Sequence, residues 1–142
     1  MLDTNLDVEK LKKLQFKIMK DVAASALIPL MRIGDQLGLF QTLSEKGPMT
    51  SKRFAEEAKV DERYLREWLY ALSATDFVSY DGEKEEFSLS PEQKAVFADE
   101  EGPANMLGAY EVLAGQVYAE EKVLEAFKTG NGVAVSYTHL TL

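Results

Sequence analysis

The feature that most constrains this chain is the stretch Asp61-Glu62-Arg63-Tyr64-Leu65-Arg66-Glu67-Trp68-Leu69-Tyr70-Ala71-Leu72, taken with the short alternating runs behind it. Asp61 suits an N-cap, because its carboxylate can accept from the free amides of a first helical turn. Tyr64, Leu65, Trp68, Leu69 and Leu72 recur at helical spacing and predict one apolar face, with Glu62, Arg63, Arg66 and Glu67 on the other side. Then come Phe77-Val78-Ser79-Tyr80, Asp81-Gly82-Glu83-Lys84 and Glu86-Phe87-Ser88-Leu89. Two alternating runs about a Gly-containing turn predict a β-hairpin. Ahead of Asp61, Thr50 or Ser51 caps a helix from Lys52 to Ala58 that turns Phe54, Ala55 and Ala58 inward, and Lys59-Val60 forms the turn. Helix, turn, helix and hairpin in that order predict a winged helix.

The flanks are helical. Leu11, Leu14, Ile18, Val22, Leu27, Leu30 and Ile33 recur at steps of three to five from Val8 to Leu37. Pro29 lacks an amide proton and clashes with the preceding turn, so this stretch is one kinked helix or two helices with Pro29 near the start of the second. Its second half is apolar nearly all round, which requires burial on several sides, and a partner surface is the expected cover. Gly38 caps it, Leu39-Phe40 opens a short helix through Leu43, and Gly47-Pro48 ends that. Ser90-Pro91-Glu92 has an N-cap with proline at the first helical position, before a brief helix to Phe97. The acidic run Asp99-Glu100-Glu101 before Gly102-Pro103 is a solvated loop rather than a metal site. A last helical region, bent at Gly115, extends from Ala104 to Lys128. The fold class is therefore mainly α, a winged helix-turn-helix with a two-stranded β wing between long N- and C-terminal helices. The expected layout is N-terminal dimerisation helices at 1–48, winged helix at 49–97, a helical linker at 98–133 and a foreign tail at 134–142.

Charge bears on function. The chain carries 16 basic and 24 acidic residues, a net charge of −8. Between Ser51 and Leu89 there are six basic residues against ten acidic ones, a balance of −4. Asp81, Glu83, Glu85 and Glu86 crowd the wing, where a DNA reader needs the opposite sign to neutralise phosphates. A winged-helix DNA-binding transcriptional regulator is the alternative function, and this electrostatic balance opposes it. With no cysteine, thiolate metal sites and cysteine nucleophiles are excluded. The apolar run from Val22 to Met31 falls short of the roughly 18 residues that span a bilayer, so no membrane partner and a cytoplasmic location are expected.

The string Val135-Ser136-Tyr137-Thr138-His139-Leu140-Thr141-Leu142 has neither helical period nor caps. It is what GTC TCT TAT ACA CAT CTG ACG CTG, a transposon-derived sequencing-adaptor end, encodes in one frame. The expectation is an adaptor-derived tail with the natural protein truncated near Ala134. His139, the single histidine, then has no functional role.

Ile33-Gly34-Asp35-Gln36-Leu37-Gly38-Leu39-Phe40-Gln41-Thr42-Leu43, joined to Asp61-Glu62-Arg63-Tyr64-Leu65-Arg66-Glu67-Trp68-Leu69 and a wing ending Val78-Ser79-Tyr80, resembles the N-terminal region of class I S-adenosylmethionine-dependent methyltransferases. The similarity is to the bacterial small-molecule type and extends from Phe16 to Val133. It implies N-terminal helices and a winged helix that mediate dimerisation and help cover a substrate pocket, before a Rossmann-like domain that binds the methyl donor. That domain needs a parallel sheet with a glycine-rich turn after its first strand. Gly130-Asn131-Gly132, the only G-x-G, follows a helical stretch and has Val135 at the third glycine position, so it is expected to be a helix cap. The resemblance thus implies S-adenosylmethionine for the intact parent and no cofactor-binding, catalytic or metal residue here. The expected partners are a second copy, through the N-terminal helices, and the missing catalytic domain, but no nucleic acid. Met19, Met106, Tyr110 and Tyr118 are candidates for lining the acceptor pocket, since thioethers and phenols suit such a site, with core or interface packing as the alternative for all four.

Overall fold

The computed structural model describes residues 6–133. In chain order these form α1 (Val8–Ser25), α2 (Leu27–Gln36), α3 (Leu39–Lys46), α4 (Ser51–Ala58), α5 (Glu62–Ser73), β1 (Ser79–Asp81), β2 (Glu86–Ser88), α6 (Pro91–Phe97), α7 (Leu107–Tyr118) and α8 (Glu120–Thr129).

The punctuation is local chemistry. Pro29 has no N–H to return to the Ser25 carbonyl, and the helix breaks into two at Ala26. Gly38, at φ 62°, takes the left-handed conformation that ends α2, and its amide donates to the Asp35 carbonyl at 2.9 Å. Thr50 accepts from the Arg53 amide to start α4, and Asp61 accepts from the Tyr64 amide to start α5. Ser90 and Gln93 close a reciprocal capping box at α6, with Pro91 in the first turn.

The wing pairs Ser79 with Ser88, Tyr80 with Phe87 and Asp81 with Glu86. Its turn is held by the Asp81 carboxylate, which accepts from the Glu83 and Lys84 amides and whose pKa those bonds lower. The left-handed residue of this turn is Glu85, at φ 55°, and not Gly82. Met49 adds a bridge that the sequence did not reveal. It exchanges both backbone hydrogen bonds with Phe87 at 3.1 and 2.8 Å, tying the α3–α4 connection to the wing.

One core lies beneath α2–α6 and the wing. Phe40, Phe54 and Phe87 are its largest fully buried side chains, packed with Met31, Leu43, Met49, Leu69 and Leu72. Trp68 donates through Nε1 to the Leu30 carbonyl at 2.8 Å, and its ring lies 5.2 Å from that of Phe40. A Cβ on Gly34 would sit 2.6 Å from both rings, so glycine is required for α2 to approach α5 this closely.

Two expectations, on Tyr64 and on the last helical region, need correction. Tyr64 is not on the buried face of α5: it is 75% exposed, at the edge of the arc set by Leu65, Leu69 and Leu72 in the first turn. Helix α3 runs through Leu43 to Lys46 and stops, as expected, at Gly47, at φ 78°. The last helical region starts at Leu107, continues through a buried Gly115 and breaks at Ala119. Within the chain the apolar stretch 22–33 is covered on one side only, with Met31 buried and Val22 and Ile33 exposed, which leaves the expected partner surface untested.

Candidate functional site

Helix α2 packs along α7, and this seam contains a partly buried ion pair between charged side chains of two largely apolar helices. Arg32 Nε donates to Glu111 Oε1 at 2.7 Å, and each side chain is about one-fifth exposed (21% and 22%). The bond to Glu111 raises the Arg32 pKa against the lowering effect of burial, and a bond to the neighbouring Tyr118 hydroxyl adds to it. Beside the pair opens a cleft of about 350 Å³. Its walls are Ile28 and Pro29 from α2 and Ala114 and Val117 from α7, while Ser25, Arg32 and Tyr118 supply the polar rim. Asp35 lies further along α2, its carboxyl pushed up first by burial and then by the charges of Glu111 and Glu100.

A second cleft, of about 400 Å³, lies where the start of α4 meets α5 and the wing. Ser51 Oγ donates to Glu62 Oε1 at 2.7 Å, and Arg66 Nη1 donates to both Glu62 oxygens at 3.2 Å. Arg66, on the helix that would face DNA, is thereby turned back onto its own helix. Lys84 on the wing is likewise paired with Asp81, at 3.5 Å.

The four residues suggested by sequence are not gathered. Met19 is 66% exposed on α1, which buries no residue at all. Met106 is 55% exposed at the start of α7. Tyr110 is half-buried against the core, and burial pushes its phenol up. Tyr118, 71% exposed, lines the cleft beside Arg32. Arg32 and Glu111 were missed. The available signal was a basic residue in the largely apolar α2 and the one charge of α7, each of which needs a partner once the helices pack.

The described residues do not fit a site for S-adenosylmethionine. Their two strands are antiparallel, and Gly130, at φ 74°, is the C-cap of α8 rather than a turn after a strand. Among them, no group of three or more His, Cys, Asp or Glu side chains could hold a metal ion, and no helix is long and apolar enough to cross a membrane. The expected tail at 134–142, with His139, lies outside the described residues.

A helix-turn-helix whose second helix leads into a β hairpin, over a single core, defines a winged helix-turn-helix protein. The chain belongs to the Rv2258c-like winged helix-turn-helix domain family, whose model matches residues 23–98. No curated protein sequence matches it. Its fold is similar to parts of solved methyltransferases. One is the N,N-8-amino-8-demethyl-D-riboflavin dimethyltransferase of Streptomyces davawensis, at 22% identity and TM-score 0.60, covering 89% of this chain and 35% of that one. Mitomycin 7-O-methyltransferase matches at 18% identity and TM-score 0.69, covering 89% and 37%. Human N-acetylserotonin methyltransferase, solved in complex with S-adenosylmethionine, matches at 12% identity and TM-score 0.67, covering 96% and 39%. The chain spans little more than a third of the length of these three structures, and at such identities the likeness is one of fold.

Proposed function

We propose that this chain is the N-terminal dimerisation and substrate-capping part of an S-adenosylmethionine-dependent small-molecule methyltransferase. The layout is dimerisation helices at 1–48, winged helix at 49–97 and a helical linker at 98–133 that leads to a catalytic domain. The observation that carries this is the uneven placement of apolar surface. Leu14, Ile18 and Val22 on α1, and Val117, Leu124 and Phe127 on α7 and α8, stand exposed, whereas the winged helix hides its own core. Apolar surface on this scale marks contact with protein. The fold shared with methyltransferases, and the third or so of their length that this chain spans, support the same reading.

In this scheme the catalytic domain binds the methyl donor, and this part closes one wall of the acceptor pocket in a cytoplasmic homodimer. Of Met19, Met106, Tyr110 and Tyr118, the last is best placed to line it. By itself the 142-residue chain transfers no methyl group. The coding sequence past Val133 is the direct test: strand, glycine-rich turn and helix in that order support the proposal, and their absence overturns it. Light scattering at micromolar concentration checks the dimer, which a clean monomer would contradict. The alternative of a DNA-binding regulator is disfavoured by the acidic wing and by Arg66 paired to Glu62. Saturable, sequence-dependent mobility shifts at low salt would favour it instead.

A further inference from the structure

We propose that Asn131-Gly132 is a self-modification site, at which the folded chain converts asparagine to aspartate and isoaspartate through a cyclic imide. The inference stands apart from the methyltransferase reading and does not rest on it. The chemistry needs the backbone nitrogen of the following residue to reach the side-chain carbonyl carbon, and glycine allows that approach because no Cβ restricts or shields its amide. The nitrogen of Gly132 bonds to Cγ of Asn131, the Cγ–Nδ2 bond breaks, and the amide proton leaves with Nδ2 as ammonia. Water then opens the imide at either carbonyl, and nothing is oxidised or reduced.

The fold decides which sites can react. Among the described residues, glycine follows an aspartate or asparagine at Asp81-Gly82 and at Asn131-Gly132. In the wing, Asp81 is clamped: its carboxylate accepts from the Glu83 and Lys84 amides at 3.0 and 3.2 Å and is paired with Lys84 Nζ at 3.5 Å. Those bonds hold it ionised, and a carboxylate is a poor electrophile. Asn105 is held too, since Nδ2 donates to the Asp99 carbonyl at 3.0 Å, Oδ1 accepts from the Leu107 amide at 3.0 Å, and Met106 follows it. Asn131 lies past the cap of α8, exposed, and its side chain makes no hydrogen bond among the described residues. Its own amide bonds to Thr129 Oγ1 at 3.3 Å, whereas the Gly132 amide bonds to none of them, and a Cβ on Gly132 would meet nothing within 4 Å. Both residues line an open cleft of about 330 Å³, which gives the imide ring room to close. The product places a carboxylate just beyond the C-terminus of α8, the negative end of its dipole, and isoaspartate lengthens the backbone there by one carbon.

The test is peptide mapping by mass spectrometry of the folded 142-residue chain held for days in mildly alkaline buffer, beside the same chain unfolded in guanidinium chloride. The expected result is ammonia release, an added negative charge on ion exchange and isoaspartate at position 131, at a rate within about fivefold of the unfolded chain's, with Asp81 and Asn105 unchanged in the folded protein. Asn131→Gln should abolish the reaction, and Gly132→Ala should slow it by about fivefold or more, neither moving the unfolding midpoint. Protection of Asn131 in the fold beyond about fivefold would overturn the proposal. So would isomerisation at Asp81 as fast as at Asn131, or an undiminished rate in Gly132→Ala, which would remove the Gly132 nitrogen as the attacking atom.

Discussion

Helices α5 and α1 are both amphipathic in sequence, yet α5 buries Leu65, Trp68, Leu69 and Leu72 in 12 residues while α1 buries nothing in 18. The difference lies in what each helix meets. Helix α5 is pinned by α4, by the wing and by Trp68 bonded to α2, so its apolar arc closes a core. Helix α1 is held as a helix by its own surface: the Asp7 cap, Lys12 with Glu9 and Lys17 with Asp21. Such exposed pairs contribute only about 0.2–0.5 kcal/mol each, and most helical stability in proteins comes from tertiary packing of an amphipathic face. Periodicity therefore identifies a face that needs covering and leaves open whether the cover belongs to the same chain.

Substitutions on the two helices should give opposite results. Trp68→Ala removes a buried ring and its bond to the Leu30 carbonyl, and should cost about 3–5 kcal/mol in denaturant unfolding. A loss below 1 kcal/mol would mean that α5 is not the organising element. Gly34→Ala drives a methyl group into the Phe40 and Trp68 rings and should cost about 1–3 kcal/mol, read the same way. Tyr64→Ala, one position from buried Leu65, should stay within about 0.5 kcal/mol, whereas Leu65→Ala should cost about 2–5. Equal costs would restore Tyr64 to the buried face.

The α2–α7 seam adds a pH dependence of smaller size. The Asp35 carboxyl is raised in the fold, so the folded state binds its proton more tightly than the unfolded chain does. Its ionisation then opposes folding: stability falls as pH rises through the folded pKa, and the penalty is absent below the unfolded value of 3.8. Asp35→Asn should therefore melt slightly higher than the parent at pH 7, with the gap closing toward pH 3; a gap that widens on acidification would contradict the sign. The smallest change in fold stability is expected on α1. Ile18→Glu should leave the unfolding of the winged helix within about 0.5 kcal/mol while abolishing self-association by light scattering. A large loss of stability in a monomeric protein would show that α1 is covered by its own chain.

Much of the fold was legible because its determinants are short-range. Asp61, Thr50, Ser90 with Pro91, Gly38 and Gly130 mark helix ends through bonds to backbone groups within a few residues, so their meaning survives without tertiary context. The site was far less legible. Met19, Met106 and Tyr110 were chosen for the kind of side chain they carry and lie apart from the cleft, while Tyr118 lines it. Arg32 and Glu111 are 79 positions apart, and no local pattern could pair them.

By itself the sequence determined a winged helix-turn-helix with an acidic outer face, since caps, periodicity and formal charge are properties of neighbouring residues. Only the tertiary structure decided that Met49 joins the wing, that Tyr64 faces solvent, that α7 ends at Ala119 and that Arg32 meets Glu111 beside an apolar cleft. Each depends on which surfaces approach one another across long stretches of chain, and that is set by the packing of side chains around Phe40 and Trp68 rather than by any short run of residues.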